Sequence, residues 1–299
     1  MKRKPYRFFL YLLFRLLHII IVILPYRMAL GLAAFFGESA YYILPKYRDI
    51  TLLNLRSVFA GEKSDDRIKK IARGVFRGLG MTAVECMKIP ALDKGRSTDF
   101  MEGAEGIAVL KKALSEGRGA IALSSHIGNW EMAGAFVAAN GIDITVIARR
   151  VYYRPYNNFL VSLRESRGVK TLYRDDKNVL KKSLNILKAN RLLAIVPDQD
   201  VDSIKGVFVD FLGRKAYTPV GPAAISLLSG APIVPTVAVR ENGKLRFIAG
   251  KPIYPDPGAD RDKDILRCTQ KWSDAIEAYI RQYPSQWAWM HRRWKTRPE

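Results

Sequence analysis

Apolar positions along the chain fall into two regimes. From Phe8 to Leu24 they form an almost unbroken run that ends at Pro25, and a second apolar stretch covers Met28 to Leu44. The first run is roughly 17 residues, at the short limit for crossing a bilayer as a helix. Within it Arg7, Tyr11, Arg15 and His18 recur at helical spacing, which predicts one polar stripe on a greasy helix. Residues 46–90 read as two helices, the second opening on Ser64-Asp65-Asp66, a cap followed by an acidic first turn. From about residue 104 helices alternate with short apolar runs. The pattern predicts helix 104–115, strand 119–123, helix 129–139, strand 142–148, helix 154–167, strand 169–173, helix 176–189 and strand 192–196. Helix 219–229, strands 233–239 and 245–249, and helix 262–282 complete it. Apolar strands separated by helices predict an α/β fold with a central, mainly parallel sheet flanked by helices on both faces. Pro, Gly and charge cluster in 198–218, which reads as the longest loop of the core, and such loops are usually functional.

The same pattern divides the chain into N-terminal membrane-anchoring helices (1–45) and an α/β domain (46–299) with a helical lead-in (46–90) and a basic aromatic tail (284–299). Arg15 interrupts the first apolar run and no small-residue cleavage site follows it, which argues against a cleaved signal peptide. Lys2, Arg3, Lys4 and Arg7 ahead of a single spanning helix would leave the rest of the chain outside the cell. Two helices that dip in and return at Pro25-Tyr26-Arg27 avoid this, so a monotopic or hairpin attachment at the cytoplasmic face is the expected arrangement.

Charge narrows the partners. Against 28 Asp+Glu the chain carries 49 Lys+Arg, a net +21, which implies nucleic acid, anionic lipid or an acidic carrier protein. The basic residues are scattered and no nucleic-acid motif is present. The tail residues Trp287, Trp289, Arg292, Arg293 and Trp294 suit a membrane interface instead. Cys86 and Cys268 are the only cysteines and no Cys/His cluster exists, so neither a disulfide framework nor a structural zinc is expected.

Of the three histidines, His18 lies in the first apolar run and His291 in the basic tail, which leaves His126 in the α/β core. It follows an apolar strand and precedes a helix beginning near Gly128, at the strand ends where open α/β folds place their sites. Glu131 lies five residues on; on one continuous helix the two would sit roughly 140° apart and could not touch. If His126 belongs to the turn before the helix, Glu131 can fold back, hold the imidazole tautomer and leave His126 a general base. The spacing alone also fits a capping histidine beside a surface glutamate. Arg149, just past strand 142–148, can bind phosphate or offset oxyanion charge. Asp198 and Asp200, just past strand 192–196, are candidates for an arginine partner or for acceptor binding.

The stretch Ser125-His126-Ile127-Gly128-Asn129-Trp130-Glu131 resembles the H-x4-D/E hallmark of the lysophospholipid acyltransferase superfamily, and in particular its bacterial lipid A late acyltransferase (lauroyl and myristoyl transferase) branch. Further matches follow in order: Asn54-Leu55 with Phe59, Arg149–Pro155, Arg164–Gly168, Pro197–Asp200, Gly206–Val209, Ala231–Pro235 and Gln286–Trp294. The resemblance implies transfer of an acyl chain from an acyl-carrier-protein or acyl-CoA thioester to a hydroxyl of a membrane lipid, at the cytoplasmic face of a bacterial inner membrane, with no cofactor. It implies His126 and Glu131 as the catalytic pair, with Asn129, Arg149, Arg164, Asp198 and Asp200 binding substrate.

Overall fold

The computed structural model describes residues 6–91 and 101–298; Lys2, Arg3 and Lys4 lie outside them. Four helices come first: α1 (Tyr6–Ile23), α2 (Tyr26–Ile43), α3 (Pro45–Phe59) and α4 (Asp65–Lys88). The Ser64 hydroxyl caps α4 by accepting from the Arg67 N–H, with Asp65 and Asp66 in the first turn as expected. α1 is long and apolar enough to cross a membrane by length and composition, and little of it is buried. Phe9, Leu13 and Ile23 face outward. Its polar stripe runs along the domain: His18 Nε2 meets the Met87 carbonyl at 3.2 Å, and Arg15, itself exposed, reaches over the Phe159 ring. Lys88 completes the junction by donating to the Val22 and Leu24 carbonyls at 3.1 and 2.7 Å, satisfying the orphan C-terminal end of α1. α2 lies directly on α4. A side chain at Gly80 would collide with the Ala33 carbonyl oxygen, so glycine sets that close approach.

The remaining elements build the layered domain: β1 (Met101–Glu102), α5 (Ala104–Leu114), β2 (Ala120–Leu123), α6 (Trp130–Ala139), β3 (Ile144–Ala148), α7 (Arg154–Glu165), β4 (Lys170–Tyr173), α8 (Val179–Lys188) and β5 (Leu192–Ile195). They continue with β6 (Gly206–Phe211), β7 (Arg214–Pro219), α9 (Gly221–Ser229), β8 (Ile233–Glu241), β9 (Lys244–Ala249) and α10 (Arg261–Gln282). Seven strands form one sheet in the order β1-β9-β8-β2-β5-β3-β4. Every neighbouring pair is parallel except β8–β9, so the sheet is mainly parallel as predicted. All of β2 is buried, as a strand covered on both faces requires. Ala120, Ala122 and Leu192 pack with Met132 and Phe136 of α6 on one face. Ile121, Leu123 and Leu193 pack with Trp272 and Ile276 of α10 on the other.

One expectation fails within 198–218. That stretch is a loop only in part, because β6 and β7 pair as an antiparallel hairpin. Val209, Phe211, Ala216 and Thr218 point into the core while Asp210, Arg214 and Lys215 point out. The turn residues Leu212 and Gly213 both have positive φ (53° and 76°), the combination a two-residue hairpin turn requires. Leucine at such a position is an unusual turn signal, and the flanking charges read as loop.

Candidate active site

The chain from Ser124 to Asn129 links β2 to α6 as a turn, which frees His126 from helical geometry. Gly128 sits at φ +59°, and any Cβ there would strike the Ala238 carbonyl oxygen. Main-chain bonds fix the turn from both sides: the Gly128 N–H donates to Gln286 O at 2.9 Å, the Asn129 N–H to Ala238 O at 2.8 Å, and the Ala288 N–H to His126 O at 3.0 Å. Gly128→Ala is therefore expected to displace the turn, lowering stability by about 2–4 kcal/mol and activity with it; denaturant melts beside a transfer assay check this.

The turn presents His126 to a carboxylate distant in sequence. Asp198, in the loop after β5, receives the His126 Nδ1–H at 2.7 Å on one oxygen. Its other oxygen receives the His126 backbone N–H and the Trp287 Nε1–H, each at 2.8 Å. A carboxylate only accepts, so Nδ1 carries the proton and Nε2 keeps its lone pair. Nε2 is left on the open side, with Gln199 Nε2 3.5 Å away. Burial lowers the proton affinity of the imidazole, but the adjacent Asp198 charge and its hydrogen bond outweigh this, and the His126 pKa ends above the usual histidine value. Burial likewise opposes ionisation of Asp198, which is 2% exposed. The imidazole beside it and the three donated hydrogen bonds nevertheless hold its pKa at about 2.

This corrects the role assigned to Glu131. In the first turn of α6 it takes the guanidinium of Arg164 on α7, Nε at 2.8 Å and Nη2 at 2.6 Å, both side chains mostly buried. Arg164 is thus held by a carboxylate rather than free for phosphate. Asn129 is also reassigned. It is fully buried, its Oδ1 caps α6 by accepting from Met132 N at 3.0 Å, and its Nδ2 donates to Glu85 Oε2 at 2.7 Å, so it has no face toward substrate. Glu85 itself is buried on α4 and paired with both terminal guanidinium nitrogens of Arg240 on β8. The Tyr26 hydroxyl of α2 donates to Glu85 at 3.1 Å, which ties the N-terminal helices to the turn that carries His126.

Asp200 holds the C-terminal tail. It accepts from the Thr296 N–H and Oγ1–H at 2.8 and 2.9 Å, while its own N–H donates to His291 Nε2 at 3.0 Å. Burial pushes the His291 pKa down to about 4, leaving that ring neutral. Asn54 Nδ2 donates to the Trp289 and His291 carbonyls at 2.8 and 2.9 Å, and Phe59 packs on Trp289. The Asn54–Phe59 segment and the Gln286–Trp294 segment are therefore two halves of one structure beneath Asp198.

His126 opens onto a cavity of about 880 Å3 at the carboxyl ends of β2, β3 and β5, the position an open α/β sheet favours. Its polar lining includes Glu131, Arg149, Arg164, Gln199, Asp200 and His291. Inward the wall turns apolar, with Ala122 beside Ala194 across β2 and β5 and Ala133 and Gly134 on α6 above them. These small side chains leave an apolar slot between sheet and helix. A basic imidazole nitrogen at the mouth of such a slot can take a proton from a hydroxyl while a hydrocarbon chain lies inside.

The sequence profile of bacterial lipid A biosynthesis acyltransferases matches residues 2–296. The chain belongs to that family. It is accordingly an acyltransferase. It is 29% identical over 285 residues to a lipid A biosynthesis palmitoleoyltransferase of Escherichia coli, covering 92% of this chain and 87% of that one. It is 28% identical over 276 residues to a phosphatidylinositol mannoside acyltransferase of Mycolicibacterium smegmatis, covering 91% and 86%. To the E. coli lipid A biosynthesis lauroyltransferase it is 26% identical over 287 residues, covering 94% and 89%. The tail does not face a membrane as expected, because Trp287, Trp289, Arg293 and Trp294 are buried and Trp287 donates to Asp198; the neighbours that the sequence pattern does not single out are Glu85 and Arg240. The signal for these two is a lone charge inside an apolar helix face and an apolar strand, where burial demands a partner.

Proposed function

We propose that this acyltransferase moves a fatty acyl chain from an acyl-carrier-protein or acyl-CoA thioester to a hydroxyl of a glycolipid, a lipid A precursor in the first instance, with His126 as general base. The observation that carries this reading is the His126–Asp198 pair at the mouth of a cavity whose inner wall is apolar. His126 Nε2 takes the acceptor hydroxyl proton, the oxygen attacks the thioester carbonyl, the C–S bond breaks, and the imidazolium returns its proton to the leaving thiolate. Asp198 stabilises the imidazolium throughout. Glu131 and Arg164 work as a unit, each fixing the other in the cavity lining, and Arg149 is the exposed cation beside them.

The apolar outer face of α1 and the net charge of +21 support attachment at an anionic membrane surface; the cytoplasmic face of the inner membrane is the proposed location. A second acceptor class, phosphatidylinositol mannoside, is supported by relatives of both kinds at nearly equal identity. Mass spectrometry of lipids from cells with and without the gene separates these readings. One acyl chain gained on a lipid A precursor is the expected result. The same gain on a mannosylated phosphoinositide selects the second reading, and unchanged acylation rejects both.

A further inference from the structure

Two arginines stand side by side in the lining of the cavity. β3 and β4 are parallel neighbours with Ala148 opposite Tyr173, so the next residues, Arg149 and Arg174, leave adjacent strand ends side by side. Both line the cavity onto which His126 opens. The acids around them are already engaged: Glu131 by Arg164, Asp175 by Arg150, Asp176 by Lys182, Asp202 by Lys295. Arg150 is itself placed elsewhere, its guanidinium stacked 3.9 Å over the Tyr173 ring. Among the described residues no ion pair reaches Arg149 or Arg174. Burial, and then the charge of Arg149, pull the Arg174 pKa below the usual arginine value against the smaller opposing pull of Asp175, as two adjacent cations in a partly desolvated setting should behave. Like charges so placed are costly until an anion joins them.

We infer that Arg149 and Arg174 form a two-pronged site for a phosphate group of a substrate, each guanidinium gripping its oxygens from a neighbouring strand end. Planar, permanently charged forks match a phosphate's tetrahedral oxygens, and two of them give orientation as well as affinity. Arg174 lies outside every segment that the sequence singled out, and its placement follows only from the strand register. The inference rests on the acyl-transfer reading above. Under that reading the ligand chemistry has two sources. A carrier-protein or CoA thioester carries phosphate in its pantetheine arm, and an anionic glycolipid carries phosphate in its headgroup.

The test measures initial rates of full-length Arg149→Gln and Arg174→Gln in vesicles, varying thioester donor and lipid acceptor in turn. The expected result is a KM raised about tenfold to a hundredfold for the phosphate-bearing substrate, with kcat changed far less. A rise for the donor assigns the donor's phosphate, and a rise for the acceptor assigns the headgroup. Arg174→Lys should recover part of the loss, and Lys188→Gln, which removes the same charge from an exposed helix end, should match wild type. Both KM values unchanged in both variants, or losses confined to kcat, overturn the site. Arg149 is exposed, so its variant carries the test even if Arg174→Gln is unstable. A wild-type enzyme that transfers no acyl chain overturns the acyl-transfer reading itself, and the site with it.

Discussion

Replacing His126 with alanine is expected to lower acyl transfer by about 10²–10⁴-fold or more while membrane association stays intact. The size of the loss follows from the roles assigned to the imidazole. In the proposed mechanism it removes a proton from the attacking hydroxyl and returns one to the leaving thiolate, so its loss raises the barrier of both half-steps. The side chain is partly exposed at the cavity mouth, and the main-chain bonds that hold the turn do not involve the ring. Folding should therefore survive. Vesicle flotation beside a transfer assay separates the two effects, and a fully active variant would refute His126 as the base.

Asp198→Asn carries the second large effect. Asparagine keeps the shape of the side chain but supplies an N–H as well as a carbonyl, and it places no charge beside the imidazole. With its amide oxygen toward Nδ1 it turns its NH2 on the His126 and Trp287 N–H donors and leaves both unpaired; with its amide nitrogen there it forces the proton onto Nε2 and blocks the base. Both outcomes lower kcat, and the second approaches about 10⁴-fold, the scale for a wrong-tautomer triad. Glu131→Gln should act differently. It weakens the bidentate grip on Arg164 and loosens α6 against α7, but leaves the Nδ1 partner of His126 in place. Steady-state rates with a thermal melt for each variant distinguish a chemical loss from a structural one.

The contrast between those two carboxylates marks where the sequence stops being informative. The position of His126 was legible because an apolar strand, a small-residue turn and a helix start appear in consecutive residues. Glu131 drew attention for the same local reason, but the contact it was assigned depends on where the loop after β5 returns. That loop lies 72 residues away, and its position is set by the parallel pairing of β2 with β5. Asp198 and Arg164 both read as candidates, but periodicity locates strand ends and not which side chains cross between them, so their partners His126 and Glu131 emerge only from the fold. Asn129 is buried and caps α6 with its side chain, a duty that its spacing in the motif does not announce. The β6–β7 hairpin was hidden by Leu212 at a positive-φ turn position and by charges that alternate with its buried residues. In each case the missing information was tertiary.

The stripe on α1 shows the converse. Spacing alone leaves open whether Arg7, Tyr11, Arg15 and His18 face headgroups or protein; Tyr11 and His18 pack on protein, while Arg15 stays exposed beside it. Tyr11 and Phe14 meet Tyr156 edge-to-face, and His18 meets Phe159 the same way. The apolar residues of the helix are consequently the ones turned outward, and the polar ones anchor it to the domain.

The acid limb of the pH–rate profile tests the His126–Asp198 assignment most directly. A base must be neutral to act, so kcat/KM should fall as pH drops through the imidazole pKa, which Asp198 raises above the ordinary histidine value of about 6.5. With donor and acceptor below saturation, the wild-type limb is expected above that value. Asp198→Asn should carry it to lower pH, and Glu131→Gln should move it far less. A limb that Asp198→Asn leaves in place, or that shifts only in Glu131→Gln, would contradict the pairing of His126 with Asp198.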